Sequence, residues 1–219
     1  GSRIATGSAG GTARIWDVQP RGAETVLFGG IGEPVNQADW STDGRLVVTA
    51  SDDGTMRFWD ATTGDPVSPF GDAFEARHAS RIYAVAWSPD GSRVATGSWD
   101  GTARIWGEFG HLVLDHDGSA VEAVAWSSDG SRVVTSGHDR TIRIWDVNSG
   151  SLLRAMIGHQ DWVGGVAWSP SGRMISTVSD DRTCRIWDVG TGEQLTVLRG
   201  HENWVDDVSW SPDERQVVT

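Results

Sequence analysis

Short apolar runs of period two, each closed by a turn rich in Gly, Asp or Ser, fill the chain from end to end. The segments Ile82-Tyr-Ala-Val-Ala-Trp87, Arg93-Val-Ala-Thr-Gly-Ser98 and Thr102-Ala-Arg-Ile-Trp106 show the form. β-Branched and aromatic residues alternate there with small or polar ones, which predicts strands. Ser88-Pro-Asp-Gly91 and Asp100-Gly101 lie between the runs, and both are hairpin-turn chemistry. A fourth run, such as Leu195-Thr-Val-Leu198, follows a Gly-containing loop. The unit is therefore four antiparallel strands, a to d, repeating roughly every 42 residues. No segment carries a convincing helical period.

The repeat is marked by two tryptophan series. One runs Trp16, Trp59, Trp106, Trp145 and Trp187; the other runs Trp40, Trp87, Trp126, Trp168 and Trp210. Ten residues before each Trp of the first series stands a threonine: Thr6, Thr49, Thr96, Thr135 and Thr177. Four short strands with two apolar faces cannot hide both alone, so each unit must stack on its neighbours. Radial stacking achieves this while leaving few edges exposed.

These motifs resemble the WD-repeat β-propellers, over essentially the whole chain. Trp-Asp stands at 16–17, 59–60, 145–146 and 187–188, and Gly-His at 158–159 and 200–201. The sequence departs from the pattern at Gly107, where Asp is expected, and lacks Gly-His before the second and fourth units. The resemblance implies an all-β fold, a β-propeller of four-stranded antiparallel blades with about five present. Expected blades are 1–30 in part, 35–70, 82–114, 121–156 and 163–198, then 205–219 in part. Two readings of the count remain open. The last strand a completes the first blade and closes five blades, or the chain is a piece of a larger ring of the seven or so blades the family implies. The second is preferred, because an open arc exposes a blade face and strand edges.

Composition narrows the function classes. The 219 residues carry 18 Lys plus Arg against 30 Asp plus Glu, a net charge of −12. That argues against gripping phosphate backbones, so no nucleic acid is expected. No run approaches the roughly 20 apolar residues of a membrane span, so no membrane is expected either. The lone Cys184 rules out an internal disulfide and fits a reducing compartment, which points to the cytoplasm.

His, Thr, Asp and Trp recur together in a way that invites a catalytic reading. His78, Thr96, Asp100 and Trp106 form one set; His159, Thr177, Asp181 and Trp187 form another. Copying blade by blade is unlike an active site, and the family resemblance implies a structural hydrogen-bond chain inside each blade. Gly10 replaces the Asp of the first blade and the second lacks the His, so those two are expected to be less rigid. The six His are spread too widely for a metal site, no phosphate loop stands out, and no cofactor is expected.

Subtracting the repeat leaves Trp99, Trp162 and Trp204. Trp162 and Trp204 precede strand a in successive units, Trp99 sits in a b–c turn, and both kinds of connection emerge on one side. Arg81 occupies the position of Trp162 in another unit, and Tyr83, Glu122 and Asp206 fall at the start of strand a. The loop around Gly71–Ser80, with Phe74, Glu75 and Arg77, adds five residues to the repeat on the same side. Aromatic anchors with Arg and carboxylates suit protein or peptide recognition. The packing alternative is that Trp162 and Trp204 merely cover a neighbouring blade.

The expected role is a protein-interaction scaffold with no chemistry of its own. Partners are a protein or peptide, together with further blades of the same parent chain. One alternative is the sensor segment of a multidomain signalling NTPase or kinase. Near-identical tracts such as Gly1–Ser8 and Gly91–Ser98 resemble the WD-repeat tails of such bacterial proteins. A remote one is a propeller hydrolase using Glu122 and Asp206.

Overall fold

The computed structural model describes residues 3–18, the backbone of 24–28, and residues 33–71 and 76–219. Its sheets follow the repeat. A three-stranded sheet (Arg3–Gly7, Thr12–Asp17, Glu24–Phe28) comes first, and a two-stranded one (Ser209–Trp210, Val217–Val218) comes last. Between them lie four sheets of four antiparallel strands, beginning at Val35–Trp40, Ile82–Trp87, Val121–Trp126 and Val163–Trp168. Ser209–Trp210 pairs with Val217–Val218 and not with Arg3–Gly7, so a closed five-bladed ring is not formed. The fourth strand of the second blade shrinks to Pro66–Val67, because Pro66 and Pro69 cannot donate to a ladder.

The apolar cores lie between blades. One joins Val134, Ile142, Ile144 and Met156 of the fourth blade to Val163, Ile175 and Trp187 of the fifth. Another joins Ala13 and Ile15 of the first to Val35, Val47 and Trp59 of the second. Trp59, Trp106, Trp145 and Trp187 of the first series thus face the preceding blade. Trp106 and Trp187 are almost wholly buried that way, whereas Trp16, on whose side no described blade packs, is 41% exposed.

The second Trp series ties neighbouring strands a together. The indole N–H groups of Trp126, Trp168 and Trp210 donate to the carbonyls of Ala86, Ala125 and Ala167 in the preceding blade, at 3.0, 3.1 and 3.3 Å. Trp87 Nε1 is buried and has no such partner among the described residues. At that junction the contact is made instead by Asp39 and Gln37, which accept the Trp87 and Val85 backbone N–H groups at 2.8 Å.

Strand a of every four-stranded blade carries a register shift at its second residue. The shifts fall between Val35 and Gln37, Ile82 and Ala84, Val121 and Ala123, and Val163 and Gly165. The extra residue is Asn36, Tyr83, Glu122 or Gly164. A bulge of this kind re-aims one side chain per blade out of the sheet's alternation.

Candidate docking face around the channel mouth

The His-Thr-Asp-Trp sets fix the b–c turns. In the third blade Trp106 Nε1–H donates to Thr96 Oγ1 at 2.8 Å, and Thr96 Oγ1 lies 2.7 Å from His78 Nε2. Thr96 has one hydroxyl proton and receives the indole N–H, so its proton points to Nε2. That leaves the imidazole proton on Nδ1, directed at Asp100 Oδ2 at 2.8 Å. The fifth blade repeats the relay: Trp187 to Thr177 at 2.8 Å, Thr177 to His159 at 2.7 Å, His159 to Asp181 at 2.9 Å. The carboxylate then receives the turn's own donors, Thr102 N and Oγ1 on Asp100 and Thr183 N and Oγ1 on Asp181.

Burial lowers the His78 pKa to about 4 despite the pull of Asp100, so the ring is neutral near pH 7. Burial works against charge on Asp181, but hydrogen bonds from Thr183, Gln160 and His159 bring its pKa down to about 2. Both ring nitrogens of each histidine are engaged and the rings are buried, which leaves no surface for a substrate. The Cys184 thiol is buried and pushed up to about 11, far from a reactive thiolate.

Two further parts of this network escaped the sequence reading. His116 serves the fourth blade, 2.7 Å from Thr135 Oγ1, which also accepts Trp145 Nε1–H at 2.7 Å. It stands 19 residues before its threonine instead of 18, with no Gly before it, and its Nδ1 stays 3.9 Å from Asp139 without a hydrogen bond. An arginine eight residues after each threonine also faces the turn carboxylate. The pairs are Arg57–Asp53, Arg104–Asp100, Arg143–Asp139 and Arg185–Asp181, at 2.6, 3.5, 3.0 and 3.4 Å. That spacing was visible in the sequence.

Directly before each turn carboxylate comes the residue that the turn holds up: Asp52, Trp99, His138 and Asp180. These meet the bulge residues and the residues preceding strand a. Tyr83 stacks on Trp99 with centroids 5.4 Å apart and planes 7° apart. The Arg81 guanidinium lies 4.6 Å from the Trp99 ring centre and 3.7 Å from Asp52. Trp99 meets His138 edge-on at 5.3 Å, and His138 stacks on Trp162 at 3.8 Å and 7°. Glu122 Oε1 anchors the middle, accepting Trp99 Nε1–H at 2.8 Å and lying 2.6 Å from His138 Nε2. The result is one aromatic ribbon, Tyr83–Trp99–His138–Trp162, crossing three blades.

His138 has room for this position because residue 137 is Gly. A Cβ there would stand 1.9 Å from the Ala120 carbonyl oxygen, which instead accepts His138 N–H at 3.0 Å. In the other blades the same position is Ser51, Ser98 or Ser179, whose hydroxyl donates to the carbonyl of Pro34, Arg81 or Asp161.

Inside the ribbon, where the starts of five successive blades converge, a cavity of about 440 Å³ opens that we call the channel mouth, lined by Asn36, Gln37, Tyr83, Glu122, Gly164 and Asp206 among others. The ribbon's outer face stays accessible: Trp99 is 37% exposed and Trp162 46%. The structure therefore brings Arg81, Tyr83, Trp99, Glu122 and Trp162 into one contact network and sets Asp206 on the cavity wall. Trp204 is 65% exposed and joins the ribbon through no ring contact or hydrogen bond among the described residues. Phe74 and Glu75 lie outside the described residues; Arg77 is exposed, and its carbonyl accepts Arg104 at 2.9 Å. Among the described residues no three His, Cys, Asp or Glu side chains converge as a metal-binding group, and no helix is long and apolar enough to cross a membrane.

Known proteins share the repeat. The chain is 40% identical over 68 residues to THO complex subunit 3 of Arabidopsis thaliana, covering 29% of this chain and 22% of that protein. It is 44% identical over 64 residues to a ribosome biogenesis protein WDR12 homolog of Trichoplax adhaerens, covering 28% and 14%. It is 33% identical over 84 residues to a guanine nucleotide-binding protein subunit beta of Arabidopsis thaliana, covering 37% and 22%. The match thus spans less than a quarter of each of these relatives. Residues 25–60, 74–107, 109–146, 150–188 and 192–219 match the WD40 family, WD domain, G-beta repeat. With five repeats matched over most of its length, the chain belongs to the WD40 family.

Proposed function

We propose that the chain is a docking platform that presents the channel-mouth face to a protein or peptide partner and performs no chemistry itself. The observation that carries this reading is the aromatic ribbon. Its rings are held by Glu122 and by mutual stacking, yet Trp99 and Trp162 keep a substantial fraction of their surface in water. A preorganised aromatic surface loses little entropy when a partner docks, and Trp, Tyr and Arg dominate binding hot spots. The relays beneath the b–c turns supply the rigidity. Two of the relatives are by name subunits of larger assemblies, which supports the same role. The net charge of −12 favours protein over nucleic acid, and the buried Cys184 is in keeping with a reducing compartment such as the cytoplasm.

The test is selection of unstructured peptides from a displayed library on the chain, followed by affinity measurement on three variants. Trp162→Ala and Trp204→Ala are expected to weaken the selected peptides at least about tenfold, the loss of one anchor. Phe109→Ala removes an aromatic that is 98% exposed on a c–d turn, at the opposite end of the blades, and is expected to change nothing. Equal losses in all three variants would mean general stickiness and would end the proposal.

A further inference from the structure

The charge distribution around the ribbon says what kind of partner fits it. Bulge residues, b–c turns and the segments before strand a bring Asp52, Glu122, Asp161, Asp180 and Asp206 to this face. Arg81 is committed to Trp99 and Asp52, and His138 to Glu122. Arg140 and Arg182 form the tips of the b–c turns on the same side, and among the described residues neither lies within ion-pair distance of a carboxylate. Asp161, Asp180 and Asp206 likewise form no ion pair among the described residues.

The carboxylates sense one another. Burial, followed by the charges of Asp161, Asp206 and Glu122, raises the Asp180 pKa, and His138 offsets this only in part. The next residue of each b–c turn is by contrast neutralised: Asp53, Asp100, Asp139 and Asp181 each have an arginine. Asp161, Asp180, Asp206 and Glu122 thus form a cluster of mutually repelling carboxylates beside the exposed rings Trp162 and Trp204 and the cavity at the mouth.

Resting on the docking reading above, we infer that the partner is an extended basic peptide segment. One Lys or Arg side chain enters the mouth between Tyr83, Glu122 and Asp206, and a second lies over Trp162 beside Asp161 and Asp180. An ammonium or guanidinium gains both from the carboxylates and from the ring faces. The stem of such a side chain has apolar length to lay against the ribbon.

All 18 basic residues of this chain are Arg, so the chain has no lysine of its own. A carbodiimide that joins carboxylates to amines will therefore report the contact carboxylates of a lysine-bearing peptide, the α-amino group apart. The probes are three synthetic peptides on one Gly-Ser-Tyr frame carrying Lys, Gln or Glu, read by fluorescence polarisation on the full chain. The Lys peptide is expected to bind, to lose affinity steeply between about 50 and about 300 mM salt, and to cross-link to Asp161, Asp180 and Asp206.

The double variant Asp180→Asn/Asp206→Asn is expected to weaken the Lys peptide about tenfold and to melt no lower than the parent, because it relieves repulsion. Glu108→Gln/Glu193→Gln, on c–d turns at the other end of the blades, changes net charge equally and is expected to leave binding unchanged. Equal weakening by both double variants, or cross-links spread over the whole surface, overturns the inference and leaves only non-specific attraction to an acidic protein. Trp162-dependent selected peptides that are neutral or acidic overturn the basic segment and keep the docking face. No Trp162-dependent peptide of any charge overturns both.

Discussion

Replacing Thr96 by Val deletes one hydroxyl from the centre of a relay and keeps the shape of the side chain. Thr96, His78 and Trp106 are at most 2% exposed, so water cannot take over the lost bonds. Two groups are stranded: the Trp106 indole N–H, which donated at 2.8 Å, and His78 Nε2, which accepted at 2.7 Å. Each buried unsatisfied group costs about 1–3 kcal/mol, so Thr96→Val should lose about 2–6 kcal/mol. For a chain of this length that corresponds to a melting temperature lower by about 5–15 °C. Thr96→Ser retains the hydroxyl and removes one methyl, for a cost of about 1 kcal/mol. Urea and thermal unfolding of the three proteins, followed by circular dichroism and tryptophan fluorescence, separate the two effects. A Val variant within about 0.5 kcal/mol of the parent, or a Ser variant as unstable as the Val one, would refute the relay as a stabilising element.

The same burial predicts the response to acid. His78 and His116 are both held at about 4, against an ordinary 6.5. The unfolded chain therefore binds protons first, and the stability these neutral rings support is complete above pH 6.5 and lost as pH falls towards 4. Each should cost about 2 kcal/mol between pH 7 and pH 5, visible as a lower urea midpoint at pH 5. Asp39 and Asp180 have raised pKa values and act in the opposite direction, so a midpoint in His78→Gln/His116→Gln no lower at pH 5 than at pH 7 would confirm the histidines as the source, and a drop as large as the parent's would refute it. Trp126→Phe breaks the 3.0 Å bond to Ala86, while Trp87→Phe breaks none among the described residues. Chemical denaturation should show Trp126→Phe as the more costly by about 1 kcal/mol, and equal costs would contradict the strap. Arg140 holds φ at 64° in the turn position that Gly54 and Gly101 occupy. Arg140→Gly relieves that strain and should raise stability by up to about 1 kcal/mol in the same assay, and a loss would speak against it.

The blade architecture was legible because every strand carries its own alternation and every turn its own Gly or Asp. The ring of channel-facing residues was legible too, since Asn36, Tyr83, Glu122, Gly164 and Asp206 recur at one phase of the repeat. The bulge that turns them outward was not, because a one-residue shift in pairing leaves no mark on the pattern. His116 was missed because its loop is one residue longer, which breaks the fixed spacing while preserving the bond to Thr135. The role of His138 depends on three blades at once. Its stacking on Trp162 joins residues whose proximity only the packed blades define, and the glycine at 137 that admits it looks like any other turn glycine.

Whether Trp162 is an anchor for a partner or a cover for the fourth blade decides the account. One of its faces lies 3.8 Å from His138 while 46% of its surface remains open, so the two roles predict different losses. The deciding measurement compares Trp162→Ala with the parent for affinity to a selected peptide and for melting temperature on the same preparations. A docking face predicts at least about a tenfold loss of affinity with melting lowered by no more than a few degrees. Unchanged affinity with a markedly lower melting temperature would show that the ribbon is interblade packing and that the partner binds elsewhere.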